Sequence, residues 1–261
     1  MLYATDLDRT VIFSNKFLDN CDEEVICVET NNGKPISYMT ASSLDKLNIL
    51  KENKKLNIVP VTTRSISQFK RVEPFQDCEF AITSNGGTIL HNGKPFLPWV
   101  NYIQRVLSNY TNELKEIPMR LKGYSDYFQT DLTFVDGVFF YCKLKDDKEK
   151  NDYLLMLLES ELDSKKWNFT LQGLKLYIIP KEISKENAIL YLKRYLKENL
   201  LVVSGDGKLD LNFLSVGDVR IIPLGSEVLG YLPDNSFLYK SVPNGLKGTI
   251  DLLNIVDDLI N

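Results

Sequence analysis

Short apolar runs alternate with amphipathic stretches at both ends of the chain. Residues 2–5, 56–61 and 200–203 have the length and the continuous apolar character of strands that are buried on both faces. Residues 80–82 form a further run of this kind, and residues 185–199 carry apolar side chains along one helical face. Strands that alternate with helices predict a parallel sheet with right-handed crossover connections.

Other patterns add elements to this framework. Extended segments over 24–29 and 35–38 flank the turn sequence Asn31-Asn32-Gly33, which predicts a β-hairpin. Thr40, Ser42 or Ser43 can cap a helix in which leucines recur at every third position. Near the end of the chain we expect two shorter strands, over 220–223 and 237–239, and a last helix that starts near Thr249.

The pattern changes between residues 88 and 180. A helix is expected over 100–114, then extended segments over 124–132 and 138–144. A second helix has leucines along one face at positions 154, 155, 158 and 162, and extended segments over 167–171 and 174–179 follow it. We therefore predict an α/β fold: a Rossmann-like parallel-sheet core, from residues 1–87 and 181–261, with an inserted α+β domain of αββαββ order from residues 88–180.

The composition is that of a globular protein. The 261 residues include 35 acidic and 31 basic side chains, which gives a net charge of −4, and 44% of the residues are apolar. No membrane span, secretory signal, C-x-x-C pair or basic stripe for nucleic acid is evident. We expect a cytoplasmic protein with reduced thiols, a monomer or small homo-oligomer, that binds small molecules rather than membranes or nucleic acids.

The chain contains a single histidine, His91. This excludes a metal site or a proton relay that needs two imidazoles, and it leaves a serine or cysteine nucleophile one possible imidazole base. Any chemistry in this protein should therefore depend on carboxylates.

Three of the predicted strands end in polar clusters. The first runs into Asp6-Leu7-Asp8-Arg9-Thr10, the second into Thr62-Thr63-Arg64, and the third into Gly205-Asp206-Gly207-Lys208-Leu209-Asp210. The ligand site of an open parallel sheet lies beyond the carboxyl ends of its strands, so these clusters should meet in one crevice. Neighbouring carboxylates need a cation, and a small set of oxygen ligands suits Mg²⁺, which also binds substrate phosphate.

In this order the clusters resemble the first, second and fourth motifs of the haloacid dehalogenase-like (HAD) superfamily of phosphatases, and Lys185 resembles the third. The segments Thr83-Ser84-Asn85-Gly86-Gly87 and Ser184-Lys185-Glu186-Asn187-Ala188 resemble the flanks of the large-cap subgroup. That subgroup includes the Cof-type sugar phosphatases, the sucrose-phosphate phosphatases and the phosphomannomutases. The resemblance spans the whole chain and implies that the inserted domain is a cap over the site.

The resemblance also implies catalytic roles. Asp6 would be the nucleophile that forms an aspartyl-phosphate, and Asp8 would be the general acid and then the general base. Thr62 would donate a hydrogen bond to a phosphoryl oxygen, and Lys185 would neutralise its charge.

A metal site is implied by the same motifs. Mg²⁺ would bind the Asp6 carboxylate, the Asp8 backbone carbonyl and Asp206. Asp210 would orient the motif lysine or a metal-bound water, although an aspartate at this position could also simply cap the following helix.

Other positions near the motifs have less specific patterns. Arg64 and Asn85 lie just past strand ends, where they could bind substrate, although Asn85-Gly86 is also an ordinary turn pair. The sequence departs from the commonest motif residues at three places, where Arg9 and Thr63 replace glycines and Leu209 replaces an asparagine.

The function implied is Mg²⁺-dependent hydrolysis of a small phosphomonoester, such as a sugar phosphate. Two alternatives stay open: a phosphomutase of the phosphomannomutase type, and a non-catalytic sensor of phosphate ligands on the same fold. Other chemistries are excluded, since the chain has no Walker A loop, dinucleotide fingerprint, cysteine-phosphatase motif or G-x-S-x-G elbow.

Overall fold

The computed structural model describes residues 1–19, 21–232 and 239–260. The first part of the chain forms β1 (Leu2–Thr5), β2 (Phe13–Ser14), β3 (Val25–Asn31), β4 (Lys34–Thr40), α1 (Ala41–Lys51), β5 (Asn57–Pro60), α2 (Ile66–Phe69), β6 (Phe80–Thr83), β7 (Thr88–His91) and β8 (Lys94–Pro95). The middle forms α3 (Leu97–Ser108), α4 (Thr111–Leu121), β9 (Thr133–Val135), β10 (Phe139–Lys143), α5 (Lys148–Glu161), β11 (Trp167–Gln172) and β12 (Lys175–Pro180). The last part forms α6 (Lys185–Leu196), β13 (Leu201–Ser204), α7 (Leu211–Ser215), β14 (Val219–Pro223), β15 (Lys240–Val242) and α8 (Gly248–Asp258).

The chain divides into two compact units. The core unit comprises Met1–Phe96 and Lys185–Asn261, and the inserted unit comprises Leu97–Ser184. The sequence pattern places the start of the insertion at residue 88, nine residues earlier. The difference arises because β7 pairs with β6, and β8 with β7, so the backbone hydrogen bonds of this segment tie it to the core unit.

The core unit is built around a parallel sheet. Its strand order is β15-β14-β13-β1-β5, and each neighbouring pair is parallel. All four residues of β1 and of β13 are buried, as expected for strands that are covered on both faces. The predicted α/β fold class is confirmed.

One predicted strand of this sheet is placed differently. β6 forms an antiparallel sheet with β7 and β8, and it meets the segment after β5 through a single parallel bridge, Val61↔Ile82. The chain reverses directly after β6, where Ser84 and Asn85 both have a φ of 54°. Because of this tight reversal, the nearest strand available to β6 is β7.

The predicted hairpin and first helix are present. β3 and β4 pair in antiparallel register, and the side chain of Thr40 caps α1 by accepting a hydrogen bond from the Ser43 backbone N–H. Leu47 of α1 and Leu252 of α8 are buried in the same apolar cluster, which covers part of the parallel sheet.

The inserted unit has a four-stranded antiparallel sheet of order β11-β12-β10-β9. The helix predicted over 100–114 is two helices, α3 and α4. The helix is interrupted at Tyr110, which lies between α3 and α4. The buried ring of Tyr110 packs edge-on against Trp167, and its hydroxyl donates to Glu182. This contact joins residues distant in the chain, so periodicity could not reveal it.

The extended segment predicted over 124–132 is also wrong. The chain forms a 3-10 helix over Lys122–Tyr127, and the strand β9 starts only at Thr133. The aromatic residues of this segment favour a strand in the sequence, but the local turn follows directly from the end of α4 and continues its hydrogen bonding.

Three smaller predictions can also be compared with the structure. Of the strand predicted over 237–239, Phe237 and Leu238 lie outside the described residues, and β15 starts at Lys240. In the parts of the chain that the structure describes, none of the helices has the length and apolar character needed to cross a membrane. All four cysteines are free thiols.

Candidate active site

The carboxyl ends of three neighbouring strands lie side by side in the core unit. Thr5, the last residue of β1, is in register with Ser204 of β13 on one side and with Pro60 of β5 on the other. Asp6 follows β1 directly, and Asp206 lies two residues past β13. The sheet therefore brings the polar clusters that follow these strands to one edge.

Three buried carboxylates meet at this edge. Asp6, Asp206 and Asp210, which we call the acid cluster, can each place a carboxylate oxygen within 4.8 Å of the others. Lys185, at the start of α6, joins two of them: its Nζ donates to Asp6 Oδ1 at 2.6 Å and to Asp210 Oδ1 at 2.7 Å. Its side chain is only 2% exposed.

Backbone groups hold Asp210 in this position. The Gly207 N–H donates to Asp210 Oδ2 at 2.9 Å, so Lys185 and Gly207 each bind one oxygen of the carboxylate. Gly205 packs directly against the same side chain, since a Cβ added at Gly205 would lie 2.8 Å from the Asp210 Cβ. The turn after β13 thus needs a glycine to admit the aspartate.

The electrostatics of the site favour an additional cation. Burial raises the pKa of Asp6 to about 7; Lys185 opposes this shift, and Asp210 and Asp8 add to it. Burial, together with Asp6 and Asp210, raises the pKa of Asp206 to about 8. Among the described residues no lysine or arginine forms an ion pair with the Asp206 carboxylate, so the cluster has more negative charge than its one lysine balances.

The lysine itself stays protonated in this environment. Burial alone would lower the pKa of Lys185, but the carboxylates of Asp210 and Asp6 outweigh burial and raise it above its ordinary value. An ammonium group is therefore available at this position throughout the physiological pH range.

Thr62 and Asn85 lie on two loops that hydrogen bonds join. Thr62 is fully buried, its Oγ1 accepts from the Arg64 backbone N–H at 3.2 Å, and its carbonyl accepts from the Asn85 N–H at 3.0 Å. The Asn85 side-chain oxygen is buried and has no hydrogen-bond partner within the described parts of the chain. A buried amide oxygen without a partner is well suited to accept a hydrogen bond from a ligand.

Asp8 pairs with Arg64 rather than with the acid cluster. Arg64 donates from Nε to Asp8 Oδ2 and from Nη2 to Asp8 Oδ1, both at 2.8 Å, and from Nη1 to Glu29 Oε2 at 2.8 Å. Burial alone would lower the pKa of Arg64, but the contacts to Asp8 and Glu29 raise it. The contribution of the Asp8 backbone carbonyl to a metal site stays a prediction.

Solved structures of sugar phosphatases are similar to this chain over its whole length. The sucrose-phosphatase from Synechocystis sp. PCC6803, solved with sucrose and phosphate, has a TM-score of 0.67 and 13% identity, with 98% of each chain covered. The C-terminal domain of trehalose-6-phosphate phosphatase from C. albicans has a TM-score of 0.64 and 10% identity, with 100% of this chain and 93% of that chain covered. A HAD subclass IIB sugar phosphatase has a TM-score of 0.58 and 13% identity, with 98% of each chain covered.

The chain has the haloacid dehalogenase fold. The likeness covers both the core unit and the inserted unit of this HAD-fold protein, as the sequence resemblance implied. No family model matches the sequence, and no curated protein matches it either. At these low identities the similarity concerns the arrangement of the backbone, and the chemistry has to be argued from the side chains of this chain.

Two features of this HAD-fold chain differ from what the motifs suggest. Arg9, which stands where the first motif has glycine, is exposed and has a φ of 62°. This left-handed backbone conformation suits glycine best, so an arginine at this position strains the backbone of the turn. Glu29 contacts the predicted site residue Arg64, but no pattern in the sequence indicates this role, because Glu29 lies in the hairpin, outside all motifs.

Proposed function

We propose that this protein is a Mg²⁺-dependent phosphomonoesterase that hydrolyses a small phosphorylated metabolite, specifically a sugar phosphate. The observation that carries the proposal is the acid cluster with Lys185 at the carboxyl edge of the parallel sheet. The substrate class is supported by the similar structures, which are a sucrose-phosphatase, a trehalose-6-phosphate phosphatase and a sugar phosphatase.

Asp6 has the surroundings that a nucleophile requires. Lys185 binds Asp6 Oδ1, whereas Oδ2 receives a long hydrogen bond of 3.5 Å from Thr10. Attack of this less engaged oxygen on phosphorus would break the ester bond and form an aspartyl-phosphate. Water would then hydrolyse the aspartyl-phosphate, so that one difficult displacement becomes two easier ones.

Asp8 is placed to move the protons of both steps. It lies on the same loop as Asp6, and its carboxylate is half exposed, so a bound substrate can reach it. Asp8 enters the first step in its protonated form and gives its proton to the leaving alkoxide. The carboxylate that results, the form that Arg64 stabilises, removes a proton from the attacking water in the second step and so regains the acid form. Arg64 binds both of its oxygens and thereby sets its orientation.

The acid cluster fits Mg²⁺. Its carboxylates are hard oxygen ligands, and they are close together and buried. Burial raises the pKa values of Asp6 and Asp206, and the neighbouring acids add to the shift, so a bound cation would stabilise their ionised forms. Asp6, Asp206 and the Asp8 backbone carbonyl would hold the ion, and Asp210 would orient Lys185 or a metal-bound water. When bound, Mg²⁺ would reduce the repulsion between the nucleophile and the phosphate.

The remaining site residues bind the phosphoryl group and the substrate. An ammonium group has three donors, of which Lys185 uses two for Asp6 and Asp210, and the third can bind a phosphoryl oxygen. The Thr62 hydroxyl accepts a backbone hydrogen bond, and its own proton can bind a second oxygen. The Asn85 amide oxygen can accept a hydrogen bond from a sugar hydroxyl. Arg64, whose donors bind Asp8 and Glu29, orients Asp8 rather than the substrate.

The test is phosphate release from a panel of sugar phosphates, with and without Mg²⁺. The wild-type protein should release phosphate from at least one of them, and removal of Mg²⁺ with a chelator should abolish the reaction. Asp6→Asn keeps the shape of the side chain but removes the nucleophile, and it should lower the rate by at least about a thousandfold.

Asp77→Asn is the matched control, because it makes the same chemical change at an exposed surface ion pair with Lys51. Its rate should equal that of the wild type. Interconversion of sugar phosphates without free phosphate would indicate the phosphomutase instead, and binding without any turnover would indicate the sensor. An Asp6→Asn variant with full activity would refute the assigned nucleophile.

A further inference from the structure

The core unit contains a second buried acid that none of the motifs includes. The side chain of Glu29 is 0% exposed. Its Oε2 accepts from Arg64 Nη1 at 2.8 Å and from the Ser37 hydroxyl at 2.6 Å, and its Oε1 accepts from Arg71 Nε at 3.2 Å. A carboxylate is rarely buried so completely unless cations and hydrogen bonds compensate its charge.

An irregularity in β3 directs this side chain inward. The register of the hairpin shifts on both sides of Glu29, between Cys27 and Glu29 and again between Glu29 and Thr30. In a regular strand, successive side chains point to opposite faces, yet Val28 and Glu29 are both buried. Such bulges re-aim individual side chains and are common beside active sites.

Glu29 and Asp8 bind opposite sides of one guanidinium group. Arg64 uses Nε and Nη2 for the two oxygens of Asp8 and Nη1 for Glu29, and Nη2 also lies 3.4 Å from the Ser37 hydroxyl oxygen. A guanidinium is planar and rigid, so a contact that fixes Nη1 also fixes the direction of the other donors. The position of the Asp8 carboxylate therefore depends on the anchoring of Arg64 by Glu29.

The ion pair between Arg64 and Glu29 is buried and should be stronger than a pair on the surface. Arg64 is only 12% exposed, whereas the Asp8 carboxylate that it binds is 53% exposed. Buried pairs are weakly screened by solvent, and removal of one partner leaves the other charge uncompensated. The buried Glu29 is thus the fixed partner of Arg64, and the exposed Asp8 takes its position from Arg64.

We propose that Glu29 is a positioning residue: it holds Arg64 and thereby fixes the place from which Asp8, in its protonated form, gives a proton to the leaving group. This inference rests on the proposed function, because it assigns Glu29 to the proton-transfer step of that reaction. Glu29 itself does not contact the reacting atoms; it acts through Arg64.

The leaving group of the substrate can reveal this role. The alkoxide that leaves a sugar phosphate is strongly basic and needs a proton, whereas p-nitrophenolate is a stable anion and leaves without one. The value of kcat/KM reports the first half-reaction, in which the leaving group departs. Loss of a correctly placed acid should therefore affect sugar phosphates far more than p-nitrophenyl phosphate, whereas general damage to the site should affect both equally.

The experiment compares kcat/KM of Glu29→Gln and of the wild type on p-nitrophenyl phosphate and on the sugar phosphate that the wild type hydrolyses best. We expect a loss of about tenfold or more on the sugar phosphate and of less than about threefold on p-nitrophenyl phosphate. Ser37→Ala removes one hydrogen bond to Glu29 and keeps all charges, so it should shift the ratio in the same direction by a smaller factor. It also provides the measurement if Glu29→Gln does not fold.

Glu198→Gln is the matched control. Glu198 also binds a cation, the N-terminal ammonium group at 2.8 Å, but it lies at the amino edge of the parallel sheet, beside Met1 and Asn57. This variant should leave the ratio of the two kcat/KM values unchanged. In an Asp8→Asn background, Glu29→Gln should not change the ratio further, because the group that Glu29 positions is already absent.

Several results would overturn the inference. Equal losses on the two substrates would give Glu29 a purely structural role, as would a further change of the ratio in the Asp8→Asn background. A changed ratio in Glu198→Gln would show that the ratio does not report on Asp8. A wild-type protein that hydrolyses neither substrate would refute the proposed function and this inference with it, whereas an active wild type with an unchanged ratio in Glu29→Gln would refute only the inference.

Discussion

Lys185 shows how much one residue can contribute to a site of this kind. Its ammonium group lies between the carboxylates of Asp6 and Asp210 at distances of 2.6 and 2.7 Å, and all three groups are buried. In such a group each charge is stable only because its partners are present. The catalytic assignment and the stability of the core unit therefore depend on the same contacts.

Replacement of this lysine should be costly for stability. Lys185→Met keeps the length of the apolar stem but leaves two buried carboxylates without their cation, so we expect the free energy of unfolding to fall by about 3–5 kcal/mol. Adding Asp210→Asn should recover part of this loss, since one of the two orphaned charges is then removed. Urea denaturation of the wild type, both single variants and the double variant measures the coupling, and simple additivity would contradict the expectation.

Two secondary-structure elements and the turn between them determine where the acid cluster lies: β13, the turn after it, and the short 3-10 helix that follows. β13 pairs with β1, so the register of the sheet sets where this turn begins, and the short 3-10 helix over Lys208–Asp210 sets where it ends. Gly205 and Asp210 face each other across the turn, and a Cβ atom at Gly205 would lie closer to the Asp210 side chain than van der Waals contact allows. A glycine is needed here because of this close approach, as its φ is not in the left-handed region.

Gly205→Ala should therefore act on catalysis. The added methyl group would lie 2.8 Å from Asp210 Cβ and Cγ, atoms that cannot move away without disturbing the hydrogen bond to Lys185. We expect kcat to fall by about 10- to 100-fold through misplacement of these groups. Overpacking should also lower the free energy of unfolding by about 1–3 kcal/mol.

Gly230→Ala is the control for this variant, because a Cβ added at Gly230 has no neighbour within 4 Å in the described structure. Its activity and stability should stay close to those of the wild type. If steady-state kinetics showed equal activity for Gly205→Ala and Gly230→Ala, the close approach of Gly205 to Asp210 would have no functional meaning.

For the whole molecule, the raised carboxylate pKa values predict how stability depends on pH. Both Asp6, at about 7, and Asp206, at about 8, titrate above their ordinary value of 3.8. The folded protein therefore binds more protons than the unfolded chain between these limits, so that without metal its stability falls as the pH rises through this window. Bound Mg²⁺ should reverse this trend, because it binds the ionised carboxylates of the folded state.

Thermal unfolding tests this expectation directly. In a chelator, these two groups should lower Tm between about pH 5 and pH 9, and Mg²⁺ should raise Tm more at about pH 8 than at pH 5. Asp206→Asn removes one carboxylate with a raised pKa and one expected Mg²⁺ ligand. It should therefore reduce both the fall of Tm with pH and the rise of Tm on addition of Mg²⁺. A stabilisation by Mg²⁺ that is the same at both pH values would argue against the acid cluster as its binding site.

Much of the core unit can be predicted from the chain alone, for a local reason. Short continuous apolar runs such as Leu2–Thr5, alternating with amphipathic helices, are typical of a covered parallel sheet, and such a sheet places the residues after its strands at one edge. The order of the elements and the position of the polar clusters follow from this, without any knowledge of side-chain contacts.

The pairing of the site residues depends on packing between distant parts of the chain. Lys185 and Asp6 are 179 positions apart, and Arg64 and Glu29 are 35 apart, so neither contact leaves a periodic signal. The bulge at Glu29, the break at Tyr110 and the antiparallel pairing of β6 are likewise results of tertiary packing. Hydrophobic periodicity reports which face of an element is buried, whereas the partner of a buried polar group is chosen by whichever opposite charge the completed fold brings within hydrogen-bond distance.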